Sequence, residues 1–244
     1  MQQRHASLLD APVAFAHRGA RAHAPENTLE AFALGLRLGA NGLETDAWLS
    51  ADGKVVLDHD GIVRRRLRKR SISGLRSEEL PAGMPLLDDL FTELGTGFHL
   101  SIDLKDPSAV GAVAEVVASH RFNPTNLWLC SPDTDVLGTC HGLMPGARLV
   151  HTTRLARLGN GVERHCHELR ERGITALNLR HTEWNGGTVV LCHRFGVLAL
   201  AWDVQYREHM ESILLMGIDG LYSDHVDLMA DCFGRMVGVP RRPA

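Results

Sequence analysis

The chain has 244 residues, 26 basic against 29 acidic side chains, a formal net charge of −3 and 44% hydrophobic residues. That near-neutral balance excludes a domain whose main partner is nucleic acid, because such domains are strongly basic. The length suffices for one sizeable core. The most apolar stretch, residues 187–202, is interrupted by His193 and Arg194 and falls short of the about 20 apolar residues of a membrane span. The N-terminal MQQRHASLLDAPVAF lacks the apolar core of a secretory signal. Five scattered cysteines, Cys130, Cys140, Cys166, Cys192 and Cys232, form no Cys-x-x-Cys pair, so free thiols in a reducing, cytoplasmic setting are expected. His165-Cys166-His167 has metal-ligand residue types, but adjacent helical residues point in different directions and no second ligand pair lies nearby at metal spacing.

In chain order, short β-like runs alternate with helical ones. Strands are expected over 13–17, 42–47, 98–104, 126–131, 148–152, 176–179, 197–202 and 220–222. Helices are expected over 28–38, 86–94, 109–120, 133–143, 162–172, 187–195, 206–216 and 226–236. Strict alternation implies a parallel sheet with helices outside it, and eight units in this length match a (β/α)8 TIM barrel. The competing open doubly wound sheet carries a G-x-G-x-x-G turn after its first strand; here that turn reads His17-Arg18-Gly19-Ala20-Arg21. Residues 48–85 break the alternation with a small insertion after the second strand. Asp52-Gly53 between apolar alternations marks a hairpin there. No linker divides the chain, so 1–244 is expected to be a single domain.

A barrel builds its site from the C-terminal strand ends and the loops that follow. Those ends deliver His17 and Arg18, then Glu44 and Asp46, then His59 and Asp60 after the hairpin. Asp103 and Lys105 follow, then Trp202 and Asp203, and last Asp224 and His225. Residues two apart on a strand share a face, so Glu44 pairs with Asp46 and Asp103 with Lys105. Three converging carboxylates repel one another unless a positive charge lies between them. A hard cation with all-oxygen ligands, Mg²⁺ or Ca²⁺, relieves that repulsion. Of 14 histidines, His17 and His59 fall in this cluster, and two imidazoles can divide proton acceptance and donation. Arg18 and Lys105 suit phosphate oxygens. The combination describes phosphodiester cleavage with electrostatic stabilisation of the transition state.

These residues resemble a known family. His17-Arg18-Gly19, Pro25-Glu26-Asn27-Thr28, Glu44-x-Asp46 and His59-Asp60 look like the N-terminal signature of the glycerophosphodiester phosphodiesterases. The likeness continues through Asp103-Leu104-Lys105, Trp202-Asp203-Val204, Gly217-Ile218-Asp219-Gly220 and Ser223-Asp224. It implies the barrel with its insertion, and one divalent cation held by Glu44, Asp46 and Asp103. It also implies catalysis by His17 and His59, phosphate contacts from Arg18 and Lys105, and Trp202 as an apolar wall beside the alcohol. Asn27 and Thr28 also have a local reason to be present, since either can cap the helix that begins there.

The chain departs from the family pattern twice. Asp103-x-Lys105 stands where the family usually has Glu-x-Lys, and an Asp-x-Lys is seen in the related sphingomyelinase D enzymes. After His59-Asp60 comes the run Arg64, Arg65, Arg66, Leu67, Arg68, Lys69 and Arg70, six basic residues in seven. This run is expected as an exposed loop beside the site, either neutralised by acids such as Glu78 and Glu79 or docking on an anionic membrane surface. The leading expectation is hydrolysis of glycerophosphodiesters to glycerol 3-phosphate and an alcohol. The alternatives are a phospholipase D-type enzyme acting on lysophospholipids or sphingolipids, and a non-catalytic barrel that binds phosphate esters.

Overall fold

The computed structural model describes residues 4–65 and 68–243. Its strands are β1 (Val13–Ala16), β2 (Gly42–Leu49), β3 (Val55–Leu57), β4 (Ile62–Arg65), β5 (Arg68–Ser71), β6 (His99–Leu104), β7 (Leu127–Ser131), β8 (Arg148–Thr152), β9 (Ala176–Arg180), β10 (Leu198–Trp202) and β11 (Gly220–Ser223). Its helices are α1 (Leu29–Arg37), α2 (Leu87–Leu94), α3 (Val110–Ser119), α4 (Thr134–Leu143), α5 (Gly161–Glu171), α6 (Gly186–Arg194), α7 (Arg207–Leu215) and α8 (Val226–Met236). Strand β1 pairs in parallel with both β11 and β2, which closes β1, β2 and β6 to β11 into an eight-stranded barrel. All the expected strands and helices form. No helix among the described residues is long and apolar enough to cross a membrane.

Alternation along the strands sorts side chains into two layers. Ala14 and Ala16 of β1 pack outward with the helices, whereas Val13 and Phe15 enter the barrel with Trp128, Val150, Leu200 and Tyr222. Phe15 stacks on Tyr222 with centroids 4.7 Å apart and meets Trp128 edge-on at 5.5 Å, an arrangement favoured by the ring quadrupoles. Gly42 makes room for this plug: a Cβ there would lie 2.6 Å from Phe15 Cδ1 and 2.9 Å from Val13 Cγ1. The same face of β2 continues with Glu44 and Asp46, which register with Ser101 and Asp103 on β6. The barrel is thus filled with apolar side chains at its base and lined with acids toward its C-terminal end.

The insertion starts where β2 runs past the barrel and pairs antiparallel with β3, Ala47 opposite Leu57. Gly53, at φ 77°, turns the chain between them. Residues 64–70, expected as a loop, instead contribute to an antiparallel hairpin of β4 and β5, Val63 opposite Arg70 and Arg64 opposite Lys69; Arg66 and Leu67 lie outside the described residues. The hairpin exists because Val63 and Ile72 are buried with Val56 and Leu75 against Trp48, and exposed basic side chains are ordinary on an unpartnered strand edge. Arg70 pairs with Glu79 at 3.0 Å and Arg76 with Glu78 at 3.3 Å.

Candidate active site

A cavity of about 270 Å³ opens at the C-terminal ends of the barrel strands, lined by all eight residues singled out from the sequence: His17, Arg18, Glu44, Asp46, His59, Asp103, Lys105 and Trp202. His17 follows β1, and its backbone N–H donates to the Ser223 carbonyl at 3.0 Å. Its Nδ1 lies 2.6 Å from Asp224 Oδ1, and its Nε2 lies 3.8 Å from Glu44 Oε2. Burial alone lowers the pKa of His17, but Glu44 and the Asp224 hydrogen bond outweigh it and raise it above the ordinary value.

The next residues turn sharply, with Arg18 at φ 51° and Gly19 at φ 79°. Only glycine fits at 19, where a Cβ would fall 2.6 Å from the Ala31 backbone. The turn aims the Arg18 N–H at Glu44 Oε2, 2.8 Å away. The Arg18 guanidinium reaches Glu26 at 3.1 Å, and its Nε sits 3.3 Å from Asp46 Oδ2 but out of line for a hydrogen bond. Asn27, also at positive φ (53°), donates to Asp46 Oδ2 at 3.1 Å and accepts from Thr45 Oγ1 at 2.7 Å. The helix cap falls to Thr28, whose Oγ1 accepts from the Ala31 N–H at 3.2 Å.

The three acids share the cavity wall, but their oxygens are not gathered as closely as a ligand set. The Lys105 ammonium bridges two of them, 2.6 Å from Asp103 Oδ2 and 3.3 Å from Asp46 Oδ1. Burial pushes the Glu44 carboxyl up to about 7, against the pull of His17 and with help from Asp46 and Asp103. Burial likewise raises Asp103 despite Lys105. His59, beyond β3, is more exposed, and its Nδ1 lies 2.9 Å from Asp60 Oδ1. Both histidines therefore keep Nδ1 on a carboxylate and leave Nε2 without one at hydrogen-bond distance.

Trp202 closes another side of the cavity, with the Arg154 guanidinium 5.6 Å above its ring. Its Nε1 and the Asn178 Oδ1 are buried without a hydrogen-bond partner among the described residues. Unsatisfied buried polar atoms are costly, and here both belong to residues lining the cavity, where a polar ligand can meet them.

The sequence reading placed Asp224 at the strand ends and Asn27 in a motif but gave neither a role in the site, and it passed over Asn178. Asp224 carried a usable signal: barrel closure sets the last strand beside the first, and the register Ala16 opposite Ser223 brings Asp224 next to His17. Asn27 read as a helix cap because its left-handed backbone, which swings the side chain onto β2, has no local signature. The His165-Cys166-His167 run disperses as helical geometry requires: His165 Nε2 meets His151 Nδ1 at 2.9 Å, and Cys166 is buried 3.5 Å from Cys192 Sγ.

Residues 17–228 match the model of the glycerophosphoryl diester phosphodiesterase family. The chain is 25% identical to a glycerophosphodiester phosphodiesterase of Caldanaerobacter subterraneus, over 86% of this chain and 92% of that one. The solved glycerophosphodiester phosphodiesterase of Thermotoga maritima superposes with a TM-score of 0.79 at 26% identity, covering 90% of this chain and 97% of that one. The fold is also that of an Oleispira antarctica phosphodiesterase solved with its product sn-glycerol 3-phosphate, with a TM-score of 0.80 at 21% identity, covering 91% and 97%. With the family match spanning most of the chain, the barrel and its cavity belong to an enzyme: the chain is a member of the glycerophosphoryl diester phosphodiesterase family.

Proposed function

We propose that this chain hydrolyses small glycerophosphodiesters to glycerol 3-phosphate and a free alcohol, with His17 and His59 as the proton-transfer pair. The observation that carries this reading is the cavity itself. One wall holds His17 with its Nδ1 on Asp224, His59 lines the same space, and Arg18 and Lys105 stand beside the acids. His17 Nε2 accepts a proton from the attacking oxygen, which is either water, giving glycerol 3-phosphate directly, or the substrate's own neighbouring hydroxyl, giving a cyclic phosphate that water then opens to glycerol 3-phosphate. His59 protonates the leaving alcohol oxygen. Arg18 and Lys105 orient the phosphate and meet the charge that builds on its oxygens. Trp202 packs against the alcohol.

The donor set fits a hard divalent cation. Two buried carboxylates, Glu44 and Asp46, and the half-buried Asp103 form an all-oxygen group, with Glu44 pushed up to about 7, whose mutual repulsion a cation removes. Glu44, Asp46 and Asp103 would hold Mg²⁺ or Ca²⁺, which when bound supplies positive charge to the phosphate oxygens. Release of glycerol 3-phosphate from glycerophosphocholine and glycerophosphoethanolamine tests the whole reading. Turnover is expected to vanish in EDTA and to return on adding Mg²⁺ or Ca²⁺. Full turnover in chelator overturns the cation, and choline release from an acylated analogue but not from the soluble diester overturns the substrate class.

Lys105→Met is expected to lower kcat with little change in KM. Phosphate charge redistributes toward the oxygens during the reaction, so the ammonium acts more strongly on the transition state than on the bound substrate. A pure KM effect would reduce Lys105 to a docking residue.

A further inference from the structure

Outside the cavity, one cluster has metal-ligand chemistry that the reaction does not use. Among the described residues, one group of three His, Cys, Asp or Glu side chains brings its ligand atoms within 4.8 Å of one another: His23, His225 and Asp227. His23 is 204 positions from Asp227 in the chain, and His225 lies two residues before Asp227. His23 lies in the loop between β1 and α1, and His225 and Asp227 lie at the junction of β11 and α8. His23 Nε2 is already 3.0 Å from Asp227 Oδ1, and the His23 and His225 rings stand edge to face with centroids 6.4 Å apart.

We propose that His23, His225 and Asp227 form a second, peripheral cation site, selective for a zinc-class ion. Its chemistry differs from that of the cavity acids. Hard Mg²⁺ and Ca²⁺ take oxygen ligands, whereas two imidazoles and one carboxylate suit Zn²⁺ and its transition-metal neighbours. Donors on a tetrahedral Zn²⁺ sit about 3.3 Å apart, given metal–ligand distances of about 2.0–2.1 Å. The His23–Asp227 pair is near that value, and all three side chains are exposed and free to complete the approach. Water takes the fourth position on the open side.

The site also has a structural consequence. The two segments it joins already touch: the Ala22 N–H donates to the Asp224 carbonyl at 3.2 Å, and Arg21 approaches the Asp224 carboxylate at 3.8 Å. An ion on His23, His225 and Asp227 cross-links the loop that follows His17 to the residues that flank Asp224. It therefore stabilises the folded protein by binding it in preference to the unfolded chain.

Equilibrium dialysis against Zn²⁺ with Mg²⁺ in excess tests the proposal by stoichiometry. The wild type is compared with His23→Ala/His225→Ala and with Asp227→Asn. Any zinc held by the cavity acids is common to all three proteins and cancels in the difference. The double variant is expected to bind one equivalent fewer than wild type, and Asp227→Asn to bind that equivalent about tenfold or more weakly. Zinc should raise the wild-type melting temperature more than that of the double variant, while activity with Mg²⁺ alone is the same in both. These are exposed side chains, so the variants should fold normally, and circular dichroism checks this. Equal zinc stoichiometry and affinity in wild type and double variant, or no zinc bound by wild type, would overturn the site.

Discussion

His17→Ala and His59→Ala are each expected to lower kcat by about 10²–10⁴ while leaving the circular dichroism spectrum unchanged, the range contributed by a positioned acid or base. The two losses should differ in kind. If His59 supplies the proton to the leaving oxygen, a substrate with an acidic leaving group, such as a p-nitrophenyl diester, needs that proton less. Such a substrate should rescue His59→Ala and leave His17→Ala impaired. The placement supports this division: His17 is half-buried and held between Asp224 and Glu44, where it can act on an attacking oxygen in the cavity. His59 stands at the more exposed rim, where a departing alcohol would have access to solvent. Equal losses with both substrates in both variants would remove the division of labour.

Much of this was legible in the sequence, for a physical reason. Strands that feed a parallel barrel are buried on both faces, so they read as short apolar runs, and β7 and β10 illustrate the point. Polar residues that interrupt such a background stand out, as Glu44 and Asp46 do within β2, and the barrel's geometry then brings them together with the other strand-end residues. Local signals failed where a contact depends on closure or on an unusual backbone. Asp224 and His17 are 207 positions apart and meet only because β11 pairs with β1. Asn27 reaches Asp46 only through its left-handed conformation. The basic run hid a hairpin because six charges in seven residues mask the two apolar anchors, Val63 and Ile72, that hold it to Trp48 and its neighbours.

Asp224→Asn is expected to be nearly as damaging as removing His17, although Asp224 need not touch the substrate. The Asp224 carboxylate can only accept, so the Nδ1–H of His17 donates to it over 2.6 Å. That bond leaves the Nε2 lone pair facing the cavity, where the proposed mechanism has it accept the proton. The backbone of Asp224 is fixed independently, with its N–H donating to Gln205 Oε1 at 2.9 Å and its carbonyl accepting from Ala22, so an amide of the same shape should leave the loop in place. An asparagine, however, can offer its NH₂ to Nδ1, which drives the proton to Nε2 and removes the acceptor from the cavity. Loss of the charge also withdraws support from the imidazolium that forms as the proton is taken up. The expected result is a fall in kcat of about 10²–10⁴ with KM little changed and with the melting temperature near that of wild type. Asp224→Glu, which keeps the charge, should retain more activity than the amide. The ¹⁵N shifts of the His17 imidazole provide the decisive readout, because they report which nitrogen carries the proton. A shift of the proton from Nδ1 to Nε2 in Asp224→Asn marks Asp224 as the residue that positions the base. An unchanged tautomer with a lowered melting temperature would instead make it a purely structural tie between β11 and β1.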